Sequence, residues 1–192
     1  MTQDLHEHER WAQALERHLH RPGRASRMAI WAHNSHLGDA GATDMAEQGQ
    51  WNLGQLLRQR YGQEVFIVGM STYTGTVTAA RDWDEPAQCR QVRPGLAGSW
   101  EDLLHQAEVD RYLLLLRGNE ALHQLGGAAR LQRAIGVVYR PETERHSHYL
   151  MTRLPQQFDA LLHIDHSHAL EPLDQGPAWV SGEVPETYPS GI

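Results

Sequence analysis

This chain has no lysine: its seventeen basic residues are all arginine, set against twenty-four aspartates and glutamates. A net charge of −7 offers no basic surface for a phosphate backbone, so a nucleic-acid partner is not expected. Cysteine is nearly absent. Cys89 cannot close an internal disulfide, and with no base beside it in sequence it reads as an incidental thiol. No run approaches the ~20 apolar residues of a membrane span, and the polar amino terminus lacks a signal-peptide core. No membrane association and a cytoplasmic location are therefore the expectations. No internal repeat is present. The 192 residues, 40% hydrophobic and 21% charged, suffice for one ordinary globular domain with a sizeable core.

Thr2 to His20 has Leu5, His8, Ala12, Leu15 and Leu19 at spacings of three and four, which predicts an amphipathic helix ended by Pro22-Gly23. Its histidines, His6, His8, His18 and His20, read as a solvated face and not as ligands. Met28 to Ala32 is a short apolar run that predicts a buried strand. At its carboxyl end come His33-Asn34-Ser35-His36-Leu37-Gly38-Asp39, a polar cluster at a strand exit, where open α/β sheets bind ligands. Gly38 permits a tight turn there, and Asp39 can cap the amino end of the next helix. His33 and His36, three apart across a turn, can converge on one point and serve as base, acid or hydrogen-bond donor.

Further on, Asn52 predicts a cap for a helix with Leu53, Leu56 and Leu57 on one face, closed at Tyr61-Gly62. Val65–Val68 predicts a doubly covered strand whose exit, Gly69 to Gly75, is small and hydroxyl-rich. Arg81 to Gly98 reads as a long loop, and Ser99-x-x-Asp102 as a capping box for a helix to Ala107. Tyr112–Leu116, Ala134–Tyr139 and Ala160–Asp165 predict three more strands, with Arg140 to His148 a polar loop. Strands alternating with helices predict an α/β layered fold with a mostly parallel sheet and flanking helices. The expected organisation is a helix and linker over 1–25, an α/β domain over 26–170, and an extended acidic tail over 171–192.

Two further constellations are His146-Ser147-His148, read as a solvated loop, and His163-Ile164-Asp165-His166-Ser167-His168. In the latter, alternation places His163 and Asp165 on one face. Neither has a cysteine cluster or a complete ligand set at closed-site spacing, so no metal and no cofactor are expected. Ser35 lacks the Gly-x-Ser-x-Gly elbow that exposes a nucleophile, which weighs against a serine hydrolase.

The Trp31–Ala40 stretch resembles the His-Asn-x-His-x-Gly-Asp motif of the erythromycin esterase family. The resemblance continues through Gly49–Leu56, Gly69–Ala79, Tyr139–Arg145, Leu154–Ala160 and Gly182–Pro189, nearly the whole chain from about Ser26. It implies hydrolysis of a carboxylic ester or lactone by a histidine-activated water, without metal or covalent intermediate. His33 and His36 would be the catalytic residues; Asn34, Ser35, Asp39, Tyr73 and Thr74 would bind the substrate. The family's general-base histidine, in a Gly-x-x-x-His-Gly-x-x-Glu segment of the amino-terminal half, has no match here. The chain is therefore expected to be an incomplete half of the family fold, completed by an amino-terminal partner or by self-association. The competing expectation is a non-catalytic domain that binds a small molecule or metal.

Overall fold

The structure, a computed structural model, describes residues 2–19, 27–125 and 128–171. The order of elements is α1 (Thr2–Leu19), α2 (Asn34–Leu37), a 3-10 turn (Ala40–Ala42), α3 (Asp44–Glu47), α4 (Leu53–Tyr61), a second turn (Gly62–Glu64), β1 (Val68–Ala79) and β2 (Gln88–Val92). There follow α5 (Trp100–His105), β3 (Arg111–Leu115), α6 (Glu120–Leu125), β4 (Arg130–Arg133), α7 (Glu144–Ser147), β5 (Tyr149–Thr152), α8 (Leu154–Gln157) and β6 (Ala160–Ser167). The α/β layering holds. A four-stranded sheet has the order β2-β1-β6-β3, with the central β1–β6 pair parallel and the outer pairs antiparallel. β4 and β5 form a separate antiparallel ribbon. The 171–192 tail lies outside the described residues apart from Glu171.

Local signals placed the caps. Asn52 Oδ1 accepts the Gln55 N–H at 2.9 Å, Ser99 Oγ accepts from Asp102 N at 3.2 Å, and Gly62 closes α4 with φ +53°. One face of the sheet is buried beneath α5 and α8, where Trp100, Leu104, Leu154, Phe158 and Leu161 form the main core with Leu116. The start of β1 is tied to the start of β6 by Asp159. Its carboxylate accepts from Arg58 Nη2 (2.6 Å), Arg117 Nε (2.7 Å) and Ile67 N (2.6 Å). Burial alone would raise the Asp159 pKa, but the hydrogen bonds from Arg117, Arg58 and Ile67 N–H prevail and hold it below the usual carboxylate value.

Five expectations need correction. Met28–Ala32 is not a strand: it has no ladder partner among the described residues, and its own residues are exposed. A β-type sequence forms a strand only when another backbone takes up its N–H and C=O groups. Val65–Ile67 leads into β1 without joining it, and Gly69–Gly75 is the strand itself, not its exit. Ala134–Tyr139 is irregular apart from a bridge at Val138 to Ala80, and the strand comes earlier, at β4. The Arg81–Gly98 loop contains β2, paired to the far half of β1. Arg140–His148 also departs from a solvated loop: Glu144 and His148 are buried.

Candidate functional site

The His33–Asp39 loop sits against the near half of β1, beyond the reach of β2. Asn34 completes that edge as a neighbouring strand would: its Nδ2 donates to Met70 O at 2.6 Å, and Met70 N donates to its Oδ1 at 3.1 Å. The buried Asn52 clamps the loop from behind, donating to Ser35 O (2.8 Å) and Gly38 O (2.6 Å) while capping α4. Gly38 has an ordinary φ of −64°. It is needed for space and not for a left-handed turn, because a Cβ there would lie 2.8 Å from Gln157 Nε2 and 2.9 Å from Phe158 Cε1. Asp39 caps the 3-10 turn through Gly41 N at 2.9 Å, and burial raises its pKa.

Both ring nitrogens of His33 are engaged. A carbonyl only accepts, so the 2.8 Å contact from Nε2 to Ile135 O places the proton on Nε2. Nδ1 is then the acceptor for Ser35 Oγ at 2.8 Å and for Ser35 N at 3.2 Å. His33 thus shapes the loop, and burial lowers its pKa. His36 is exposed, its ring centroid 6.5 Å from that of His33 and nearly perpendicular to it. Its pKa is lowered by partial desolvation first, then by the fields of His33 and His8. The exposed imidazole is the one with chemistry to offer.

Tyr73 and Thr74 are engaged elsewhere. The Tyr73 ring stacks on His105 of α5 at 3.8 Å, and Thr74 Oγ1 donates to Val92 O at 2.9 Å. The loop meets β1 through the two bonds at Met70. Arg133 takes the next stretch of that edge, with Nη2 donating to Thr72 O (2.7 Å) and Tyr73 O (2.6 Å).

A second polar chain lies on the covered face of the sheet. Asp165 Oδ1 accepts from His105 Nδ1 at 2.7 Å and faces His163 Nε2 at 3.4 Å, while His163 Nδ1 faces Ser71 Oγ at 3.3 Å. Alternation along β6 foretold that His163 and Asp165 share a face. His105, sixty residues away in sequence, carried no such signal. His163 is fully buried, so this chain is a satisfied polar network under α5. Among the described residues no three His, Cys, Asp or Glu side chains come together in a way that could hold a metal ion. No helix among them is long and apolar enough to cross a membrane.

Burial also holds the pKa values of His148 and His163 below that of an ordinary imidazole, as it does for His33. In the unfolded chain these residues bind protons at the ordinary value of about 6.5, earlier than in the folded chain. Stability is therefore full above that value and is lost as pH falls through it toward the folded values. The melting temperature should drop between pH 7 and about pH 5, and His163→Gln should flatten the slope. A melting temperature unchanged across that window would show that the rings are solvated.

The erythromycin esterase family model matches residues 3–167. Among solved structures, a Bacillus cereus protein superposes with a TM-score of 0.60 at 20% identity, covering 72% of this chain and 33% of its own. A succinoglycan biosynthesis protein gives 0.56 at 23% identity, with 72% and 33% covered. A histidine-to-asparagine variant of the erythromycin esterase EreC, in its open conformation, gives 0.51 at 17% identity, with 81% and 35% covered. The likeness to these three is one of fold, and the chain spans about a third of their length. A family match over most of the sequence, together with this shared fold, places the chain in the erythromycin esterase family.

Proposed function

We propose that the His33–Asp39 loop is one half of the active site of a carboxylic ester or lactone hydrolase. The observation that carries this reading is an exposed His36 on a loop immobilised by Asn34, Asn52 and His33. With its pKa lowered, His36 presents a neutral imidazole at pH 7, whose N–H can donate to the oxyanion of a tetrahedral intermediate. His33 positions the loop, because its lone pair and its proton are both occupied. Asn34 and Ser35 line the approach; Asp39 caps the turn behind it.

Water at neutral pH is a poor nucleophile, and a hydrolase with no covalent nucleophile needs a tuned base to activate it. The family resemblance assigns that base to a segment with no match in this chain. The 192-residue chain alone should therefore hydrolyse p-nitrophenyl esters and simple lactones no faster than a His33→Ala/His36→Ala double variant. Joined to the rest of the fold, His36→Ala should lower kcat by roughly 10²–10³-fold, as loss of an oxyanion donor does. His36→Gln, which keeps an N–H, should retain more activity. Activity of the isolated chain that vanishes in the double variant would show that the loop carries its own base, and the division of roles would be wrong.

A further inference from the structure

The open face of the sheet is apolar in rows that run across three strands. Met70, Leu162 and Leu113 are in register, as are Val68, Ala160 and Leu115. At the ends of these rows Val68 is 50% exposed, Met70 44%, and Leu113 and Leu115 each 58%. Single exposed hydrophobic residues are ordinary; a patch ordered by register on an α/β sheet is a face awaiting helices. The second feature is Met28–Ala32, where Trp31 is 89% exposed. This run has the composition of a strand and, among the described residues, no strand partner. It ends two residues before Asn34, whose side chain is bonded to Met70 at the edge of the same sheet.

We infer that Met28–Ala32 and the open sheet face together form a docking surface for the polypeptide that carries the remainder of the family fold. Chain length points to that occupant. The chain aligns over 72–81% of itself but over only 33–35% of the solved proteins, so there a unit like this one is built together with about twice as much additional chain. The occupant's chemistry is set by the groups uncovered here: a strand to pair with Met28–Ala32, and helices with an apolar side to lie across Met70, Leu113 and Leu115. This inference shares with the proposed function only the premise that the fold is completed elsewhere. Its test reads association and not catalysis.

The test uses the 192-residue chain and, as probe, a polypeptide comprising the part of the Bacillus cereus protein that this chain leaves unmatched. Sedimentation velocity should show a one-to-one complex, and hydrogen exchange at the amides of 28–32 should slow at least tenfold in it. Leu113→Glu and Trp31→Asp, both at exposed positions, should leave the melting curve of the free chain unchanged and weaken association by more than tenfold each. Three results would overturn the inference. One is the absence of any complex; another is a complex indifferent to both substitutions. The third is a homodimer of the chain that Leu113→Glu dissolves while the probe fails to bind, which would make a second copy the occupant.

Discussion

Arg133→Met should destabilise the domain by about 3–5 kcal/mol, the range for removing one partner of a buried ion pair. The side chains of Arg133 and Glu144 are each only 2% exposed, with Nη1 2.9 Å from Glu144 Oε1. The same guanidinium donates to Arg93 O at 2.7 Å and to the carbonyls of Thr72 and Tyr73. It is the bolt between the β4–β5 ribbon and the exposed edge of β1. Without it, the Glu144 carboxylate is left, among the described residues, with the Tyr139 hydroxyl at 2.8 Å, and the carbonyls lose their donor from Arg133. The Tyr139 phenol, pushed up to about 12 by burial first and by its bond to Glu144, stays protonated at neutral pH and goes on donating to that carboxylate. Urea unfolding followed by tryptophan fluorescence measures the loss. Arg133→Met/Glu144→Gln should recover part of it, since the uncompensated carboxylate is gone. A single variant within about 1 kcal/mol of the parent would show that water reaches the pair and that the ribbon is held by apolar packing.

Gly54→Ala should also destabilise, against the direction that helix propensity predicts. Alanine within a helix is favoured over glycine by about 1 kcal/mol. A Cβ on Gly54, however, would lie 2.0 Å from Leu37 O and 2.5 Å from Leu37 C, atoms of backbone that have no rotamer to retreat into. Helix α4 would have to back away from the His33–Asp39 loop, and Asn52 would lose its grip on Ser35 O and Gly38 O. A net loss of about 1–3 kcal/mol is the expected cost of such overpacking. In a competent assembly the loop displacement should lower kcat as well, although Gly54 touches no substrate. A higher melting temperature with unchanged turnover would mean that the loop yields freely, and the rigidity assigned to the site would be wrong.

Neither Arg133 nor Gly54 is announced by a local pattern. Arg133 stands in a polar stretch, and its partner Glu144 lies eleven residues away on the other side of an irregular segment. Gly54 reads as an ordinary helical glycine. The same holds for His105, which reaches Asp165 only because α5 packs over the sheet.

What the amino-acid order determined by itself is short-range. Asn52, Ser99, Asp39 and Thr43 each cap the turn just downstream because a side-chain oxygen two or three residues before a free N–H needs no other part of the chain. The alternation of Ala160–Asp165 and the Tyr112–Leu116 run likewise placed β6 and β3, since period two is itself the geometry of a strand. The tertiary structure decided what depends on a distant partner. Hydroxyl-rich Gly69–Gly75 became a central strand, and not a strand exit, because β6 pairs with it. Met28–Ala32, an apolar run, remained unpaired because no backbone among the described residues pairs with it. Strand propensity is a preference for a neighbour, and only the fold says whether that neighbour is there.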